Sequence, residues 1–148
     1  MSNLIKWISI TDRFTKMYLN TKFKELDINT SQHMFITKIC ENEGIIQDDL
    51  YHFIYLNKSN ITRTVMQLEK KGFILRVKDH IDKRSIRLYP TDKSKKIYNQ
   101  LNEIRHQWID IIEQELNPED KETLEEFIEK IGKTAIDYLN RNEGQLDE

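Results

Sequence analysis

Apolar residues recur along most of the chain at three- and four-residue steps, the period of helices that bury one face. Leu4, Trp7, Ile8, Phe14, Met17, Tyr18 and Phe23 form the first stripe, which should stop near Leu26-Asp27. Asn29 or Thr30 can cap a second helix with the stripe Met34, Phe35 and Ile39, ended by Gly44. A short third helix follows Gln47 and should bury Leu50, Phe53 and Ile54. After a turn at Leu56-Asn57, a fourth helix runs to Lys71 with Ile61, Val65 and Leu68 spaced for burial, and Gly72 stops it. Its opposite face then carries Lys58, Ser59, Asn60, Arg63 and Gln67.

There the period switches from helical to alternating. Phe73-Ile74-Leu75-Arg76-Val77 and Ser85-Ile86-Arg87-Leu88-Tyr89 read as a two-stranded hairpin closed at Pro90, with Asp79-His80-Ile81-Asp82-Lys83-Arg84 as its loop. Beyond Thr91, an N-cap candidate, Ile97, Leu101, Ile104, Trp108, Ile111 and Ile112 mark a long helix. Pro118 starts the last one, which carries Leu124, Phe127, Ile128, Ile131, Ile136 and Leu139. Asn142 to Glu148 reads as a frayed tail. The expected fold is mainly α with a small β-hairpin wing, a winged helix-turn-helix within one structural domain. Its parts are a first helix over residues 1–28, the winged helix-turn-helix region over 29–91 and C-terminal helices over 92–148.

Charge sharpens this outline. Residues 57–96 hold twelve Lys/Arg against four Asp/Glu, a local net of +8 in a chain whose total is −2. One concentrated positive face is what a reader of polyanions needs. Residues 97–148 hold five positive and fourteen negative groups, so phosphate would repel them, and dimerisation is a natural use for them. A helix fits the major groove, where Ser, Asn and Arg can read base edges, and a thin basic hairpin can reach the narrow minor groove beside it.

Helix, glycine, strand, basic loop and strand follow one another in that order, and the residues that fill the pattern resemble a family. Asn57-Lys58-Ser59-Asn60-Ile61-Thr62-Arg63-Thr64-Val65, then Leu68-Glu69-Lys70-Lys71-Gly72-Phe73-Ile74-Leu75-Arg76, then Asp82-Lys83-Arg84-Ser85 and Leu88-Tyr89-Pro90-Thr91 are similar to the MarR (multiple antibiotic resistance regulator) family of winged-helix transcription regulators. The resemblance covers about residues 30–96 in motif and the whole chain in helix order. It implies a homodimeric repressor or regulator whose N- and C-terminal helices interlock and which binds double-stranded DNA at a pseudopalindromic operator. The family's recognition positions fall on Ser59, Asn60, Thr62 and Arg63, and its minor-groove arginine falls on Arg84, beside Lys83. Lys58 and Gln67 complete the DNA-binding set. Asp82 matches the wing aspartate that fixes the loop by pairing with an arginine, for which Arg76 or Arg84 is available. One departure is Ser94, where relatives often carry glycine, and it bears on the start of the fifth helix.

Other chemistry is thin. Cys40 is the lone cysteine, so no intrachain disulfide forms, and its place near apolar positions reads as a small buried hydrophobe rather than a redox sensor. His106 and Asp110 lie one helical turn apart, but two residues do not fill a coordination sphere, so neither metal nor cofactor is expected. No nucleophile motif or phosphate loop points to an enzyme. Relatives bind phenolic or lipophilic effectors between platform and DNA module. Phe14, Tyr18, Phe23, Phe35, Tyr51 and Trp108 supply aromatic surface for a small aromatic or lipophilic effector, and also for an ordinary core. No apolar run approaches the roughly 20 residues that span a bilayer, and the N-terminus lacks signal-peptide features, so a cytoplasmic protein is expected. The rival reading is a winged-helix adaptor that docks proteins through its acidic platform without sequence-specific DNA binding.

Overall fold

The computed structural model describes residues 1–142 of the chain, in two compact units, residues 1–108 and 109 onward. The tail expected from Asn142 lies, from residue 143, outside the described residues.

Helix α1 (Leu4–Phe23) passes into a single 3-10 turn, and Asp27, with φ of 59°, breaks it where the sequence predicted a stop. Helix α2 (Thr30–Glu41) begins with a reciprocal cap. Asn29 Oδ1 accepts the Gln32 N–H at 3.0 Å, and Gln32 Oε1 accepts the Asn29 N–H at 3.1 Å, which satisfies two helix-end donors at once. Strand β1 (Ile45–Ile46) was not anticipated, because two residues are too few for alternation to show. It pairs with β3 through Ile45↔Leu88 and Ile46↔Arg87 and enlarges the expected hairpin to a three-stranded antiparallel sheet, order β1-β3-β2. Gly44 leads into it at φ of 86°, and a Cβ there would lie 3.2 Å from the Tyr89 hydroxyl. Backbone and crowding both demand glycine.

A 3-10 turn (Gln47–Leu50) runs into α3 (Tyr51–Ile54), one turn of helix. This buries Leu50 but leaves Phe53 exposed, with Lys38 over its ring, contrary to the sequence reading; Met34 is exposed too, since α2 buries Phe35, Ile36 and Ile39 instead. Helix α4 (Lys58–Lys70) buries Ile61, Thr64, Val65 and Leu68. Its end explains why the strands begin one residue later than their hydrophobic alternation suggests. The Phe73 N–H turns back to the Leu68 carbonyl at 2.9 Å and the Gly72 N–H to Glu69 at 3.0 Å, so Phe73 closes the helix before the strand starts. Strands β2 (Ile74–Lys78) and β3 (Ile86–Pro90) then pair in the register Ile74↔Pro90 to Lys78↔Ile86.

Helix α5 (Asp92–Ile112) starts where it was expected, despite the serine at 94. Ser94 is fully buried, and its hydroxyl donates to the Phe73 carbonyl, so the extra atoms of serine over glycine are satisfied rather than strained. The core joins Phe23, Phe35, Ile36, Ile39, Leu50, Val65, Leu68, Phe73, Leu88 and Leu101, all fully buried. Burial of this kind is the main favourable term in folding.

Helix α6 (Pro118–Arg141) is capped by Asn117, whose side chain accepts the Asp120 N–H at 2.9 Å. It has the predicted apolar stripe, yet none of its residues is buried, and Leu124, Phe127, Ile128, Ile131 and Leu139 are 40–55% exposed. Helix α1 likewise leaves Leu4, Ile5, Trp7, Ile8, Phe14 and Met17 exposed by 44–82%. Each helix thus carries an apolar face that a single chain leaves uncovered. Among the described residues no helix is long and apolar enough to cross a membrane.

Candidate nucleic-acid interface

Helix α4 is held at its N-terminus by Asn57, whose side-chain oxygen accepts the Asn60 N–H at 2.8 Å. The approach to it is a tight turn. Tyr55 sits in the left-handed region at φ of 55° and its N–H returns to the Tyr51 carbonyl at 2.8 Å, so α3 ends abruptly and α4 sets off in a new direction. Lys58, Ser59, Arg63, Met66, Gln67 and Lys70 are exposed on the face opposite the buried stripe. Asn60 and Thr62 are half-buried at its edges.

Several of these side chains are already engaged. The Arg63 guanidinium donates to Asn60 Oδ1 one turn earlier, which pins two candidate reading residues to each other. Thr62 Oγ1 accepts from Gln47 Nε2 at 3.2 Å, and Gln67 Oε1 accepts from Gln32 Nε2 at 3.4 Å. Gln47 and Gln32 are buried behind α4 and were not singled out from the sequence, although Gln32, three residues after Asn29, carries the capping-box signature.

The wing is organised differently from expectation. Asp82 fixes the loop, but through the Arg84 N–H at 3.0 Å and the Ser85 hydroxyl at 3.2 Å, not through an arginine side chain. Arg76 does not serve the loop either, for its guanidinium faces Glu69 of α4 at 3.8 Å. The ion pair at the wing's root is Asp79–Arg87, where Arg87 Nε donates to Asp79 Oδ1 at 2.6 Å and Nη1 to the Gly44 carbonyl at 2.8 Å. Arg87 thereby ties the hairpin loop to the turn before β1. Its guanidinium lowers the Asp79 carboxyl from 3.8 to about 2, with help from the Asp82 N–H that Asp79 Oδ2 accepts at 3.1 Å. The sequence signal was two opposite charges eight residues apart across a hairpin loop. With that root fixed, Lys83 and Arg84 stand exposed at the tip, and neither has a carboxylate partner among the described residues.

Ion pairing also divides the basic segment. Lys71 pairs with Asp27, Arg76 with Glu69, Arg87 with Asp79 and Lys95 with Glu43. Lys93 lies over the Phe73 ring at 4.2 Å and donates to the Lys71 carbonyl at 2.7 Å. Lys58, Arg63, Lys70, Lys78, Lys83, Arg84 and Lys96 have no salt-bridge partner among the described residues. The unpaired charge belongs to the exposed face of α4, the wing and the start of α5.

The remaining candidates resolve simply. Burial pushes the half-buried Cys40 thiol up to about 11, with Glu43 adding to the effect, which disfavours the thiolate. His106 and Asp110 are exposed, and among the described residues no group of three or more His, Cys, Asp or Glu is placed to hold a metal ion. Of the six aromatics considered for an effector, Phe23 and Phe35 are core, and Phe14 is exposed. Tyr18 and Trp108 stack at 4.5 Å, with the indole N–H donating to Thr15 at 2.9 Å. Tyr51 meets Tyr55 edge-on at 5.6 Å.

Comparison with known proteins converges on one family. Residues 28–86 match the MarR family. The HTH-type transcriptional regulator YybA of Bacillus subtilis is 29% identical over 133 residues, 90% of this chain and 89% of that protein. A MarR protein from Peptoclostridium difficile superimposes with a TM-score of 0.89 at 29% identity, covering 95% of this chain and 92% of that one. A MarR-family transcriptional regulator from Listeria monocytogenes, solved in complex with a 26mer DNA, shares the fold with a TM-score of 0.90 at 23% identity, over 98% and 97% of the two chains.

Proposed function

From the match of residues 28–86 to the MarR family we propose that the chain is a MarR-type regulator, homodimeric and binding double-stranded DNA sequence-specifically, acting as a repressor in the cytoplasm. The observation that carries this reading is that, of the unpaired cations of residues 57–96, Lys58, Arg63 and Lys70 lie on the outward face of α4 and Lys83 and Arg84 at the wing tip, the two parts a winged helix-turn-helix offers to DNA. Here Ser59, Asn60, Thr62, Arg63 and Gln67 contact bases and backbone in the major groove, Lys58 neutralises phosphate, and Lys83 with Arg84 enters the adjacent minor groove. Asp82 and the Asp79–Arg87 pair hold the tip in its reaching shape. The role is binding, and no step of chemistry is assigned to the chain.

The second copy follows from the uncovered apolar faces of α1 and α6, which a homodimer would bury. To place two α4 helices in successive major grooves of a pseudopalindrome, the dimer must hold them about 34–36 Å apart. A small aromatic or lipophilic effector acts in this reading by changing that separation, and a ligand that lowers operator affinity without sharing the DNA surface is its signature.

Selection from random duplexes tests the proposal. It predicts enrichment of a pseudopalindrome bound by two copies, with affinity lost on Arg63→Ala and on Arg84→Ala at fixed salt. Binding without sequence preference, or two variants that bind as tightly as the parent, would reject it in favour of an adaptor that docks protein.

A further inference from the structure

The side chain of Gln67 meets a buried partner whose hydrogen-bond polarity is already decided. A glutamine amide has a donating and an accepting end, and which end faces a neighbour is set by what the neighbour presents. At Gln32 the decision comes from the main chain: the Asn29 N–H can only donate, so the group it meets at 3.1 Å must be the Gln32 carbonyl oxygen. The Gln32 NH2 is therefore the end directed at α4, where Gln67 Oε1 lies 3.4 Å away. That contact is long, but the reversed arrangement would set two NH2 groups against each other. Gln32 is only 3% exposed and cannot escape by turning to water. Gln67, by contrast, is exposed on the outward face of α4, so whichever end is not engaged faces solvent.

We propose that Gln32 is a specificity-determining residue of the α4 surface, one that touches no DNA itself but fixes Gln67 with its NH2 outward, so that Gln67 reads base edges as a donor. The assignment rests on the DNA-binding function proposed above. A free glutamine suits adenine, donating to N7 while accepting from N6. A glutamine whose oxygen is turned back toward Gln32 presents its NH2 rather than its acceptor to the groove and favours edges rich in acceptors, namely guanine O6 and N7 or thymine O4. The helix cap of α2 thus sets, through three residues in line, the sign of one hydrogen bond at the groove surface.

The test uses the full chain and selection from random duplexes at fixed salt. Gln67→Ala first locates the base pair whose preference depends on this side chain. Gln32→Glu then reverses the relay: its carboxylate still accepts the Asn29 N–H and preserves the cap, but it can only accept from Gln67, whose NH2 must turn inward and its oxygen outward. At the located base pair, preference should move from guanine or thymine toward adenine or cytosine by roughly five- to tenfold, the scale of one hydrogen bond. A merely structural Gln32 would lower affinity for all sequences alike and leave the preference at that pair unchanged; that result, or a wild-type preference for adenine there, overturns the assignment while leaving DNA binding intact. If the unaltered protein selects no sequence, the function proposed above falls and the assignment with it. Should Gln32→Glu fail to fold, NMR of the unaltered protein on the selected duplex decides the matter. The Gln67 NH2 protons should show nuclear Overhauser contacts to the base at the located pair, and contacts to the Gln32 side chain with none to the base refute the relay.

Discussion

Asn57 offers a substitution whose effects on stability and on DNA binding should part company. Its side-chain oxygen caps α4 through the Asn60 N–H at 2.8 Å, and the first turn of that helix holds no acidic residue. Asn57→Ala removes the cap and should cost about 1 kcal/mol, lowering the melting temperature by roughly 2–4 °C for a protein of this size. Asn57→Asp keeps the acceptor and places a negative charge at the positive end of the helix dipole, a gain of about 0.3–1 kcal/mol. Stability should therefore hold or rise. For DNA the order changes, because the same carboxylate is brought beside the phosphates that α4 approaches. If each copy loses about 0.5–1 kcal/mol to that repulsion, the two helices of a dimer together lose about 1–2 kcal/mol, a roughly five- to thirtyfold weaker complex. Thermal melting followed by circular dichroism gives the first quantity, and fluorescence anisotropy with a selected duplex gives the second. An aspartate variant that is as stable as its parent and binds DNA equally well would mean that the N-terminus of α4 does not face a polyanion.

Three further outcomes follow from the same geometry. His33 is 6% exposed, its Nδ1–H donates to the Thr30 carbonyl, and burial, aided by Arg105, lowers its pKa from 6.5 to about 4. The folded state therefore resists a proton that the unfolded chain accepts. Stability should be level above pH 6.5 and fall by about 3 kcal/mol in total as pH drops toward 4; urea titrations should show this slope, and His33→Gln should abolish it. Arg87→Gln breaks the wing-root pair, so operator binding should weaken by about the same factor as for Arg84→Ala, with α-helical content unchanged; full affinity would show that the wing needs no anchoring. Ile131→Glu on the exposed stripe of α6 should yield monomers by analytical ultracentrifugation at micromolar concentration, and an unaltered dimer would move the interface elsewhere.

Periodicity made the helices legible, since long amphipathic stretches such as Ile61-Val65-Leu68 carry their burial pattern on their face. It failed where structure is shorter than its period. Strand β1 spans two residues, and Phe53 falls outside the core because Gln47–Leu50 is wound as 3-10 rather than α. At the candidate site the exposed face of α4 could be listed residue by residue, but the supports behind it could not. Arg76 and Arg87 are both strand arginines near one loop, and only the register, with Val77 opposite Arg87, reveals which of them reaches Asp79. Gln32 was readable as half of a capping box, whereas its second bond, to Gln67, depends on how α2 crosses α4. Local chemistry is written in neighbouring residues; long-range pairing is a property of packing.

Footprinting on a selected duplex tests the central claim most directly, because dimethyl sulfate reports guanine N7 in the major groove and hydroxyl radicals report the minor groove. Two α4 helices and two wings predict two patches of N7 protection about 10–10.5 base pairs apart, each with minor-groove protection beside it that disappears on Arg84→Ala. A single patch, or minor-groove cleavage that the protein leaves untouched, would contradict the assignment of α4 and the wing to the two grooves.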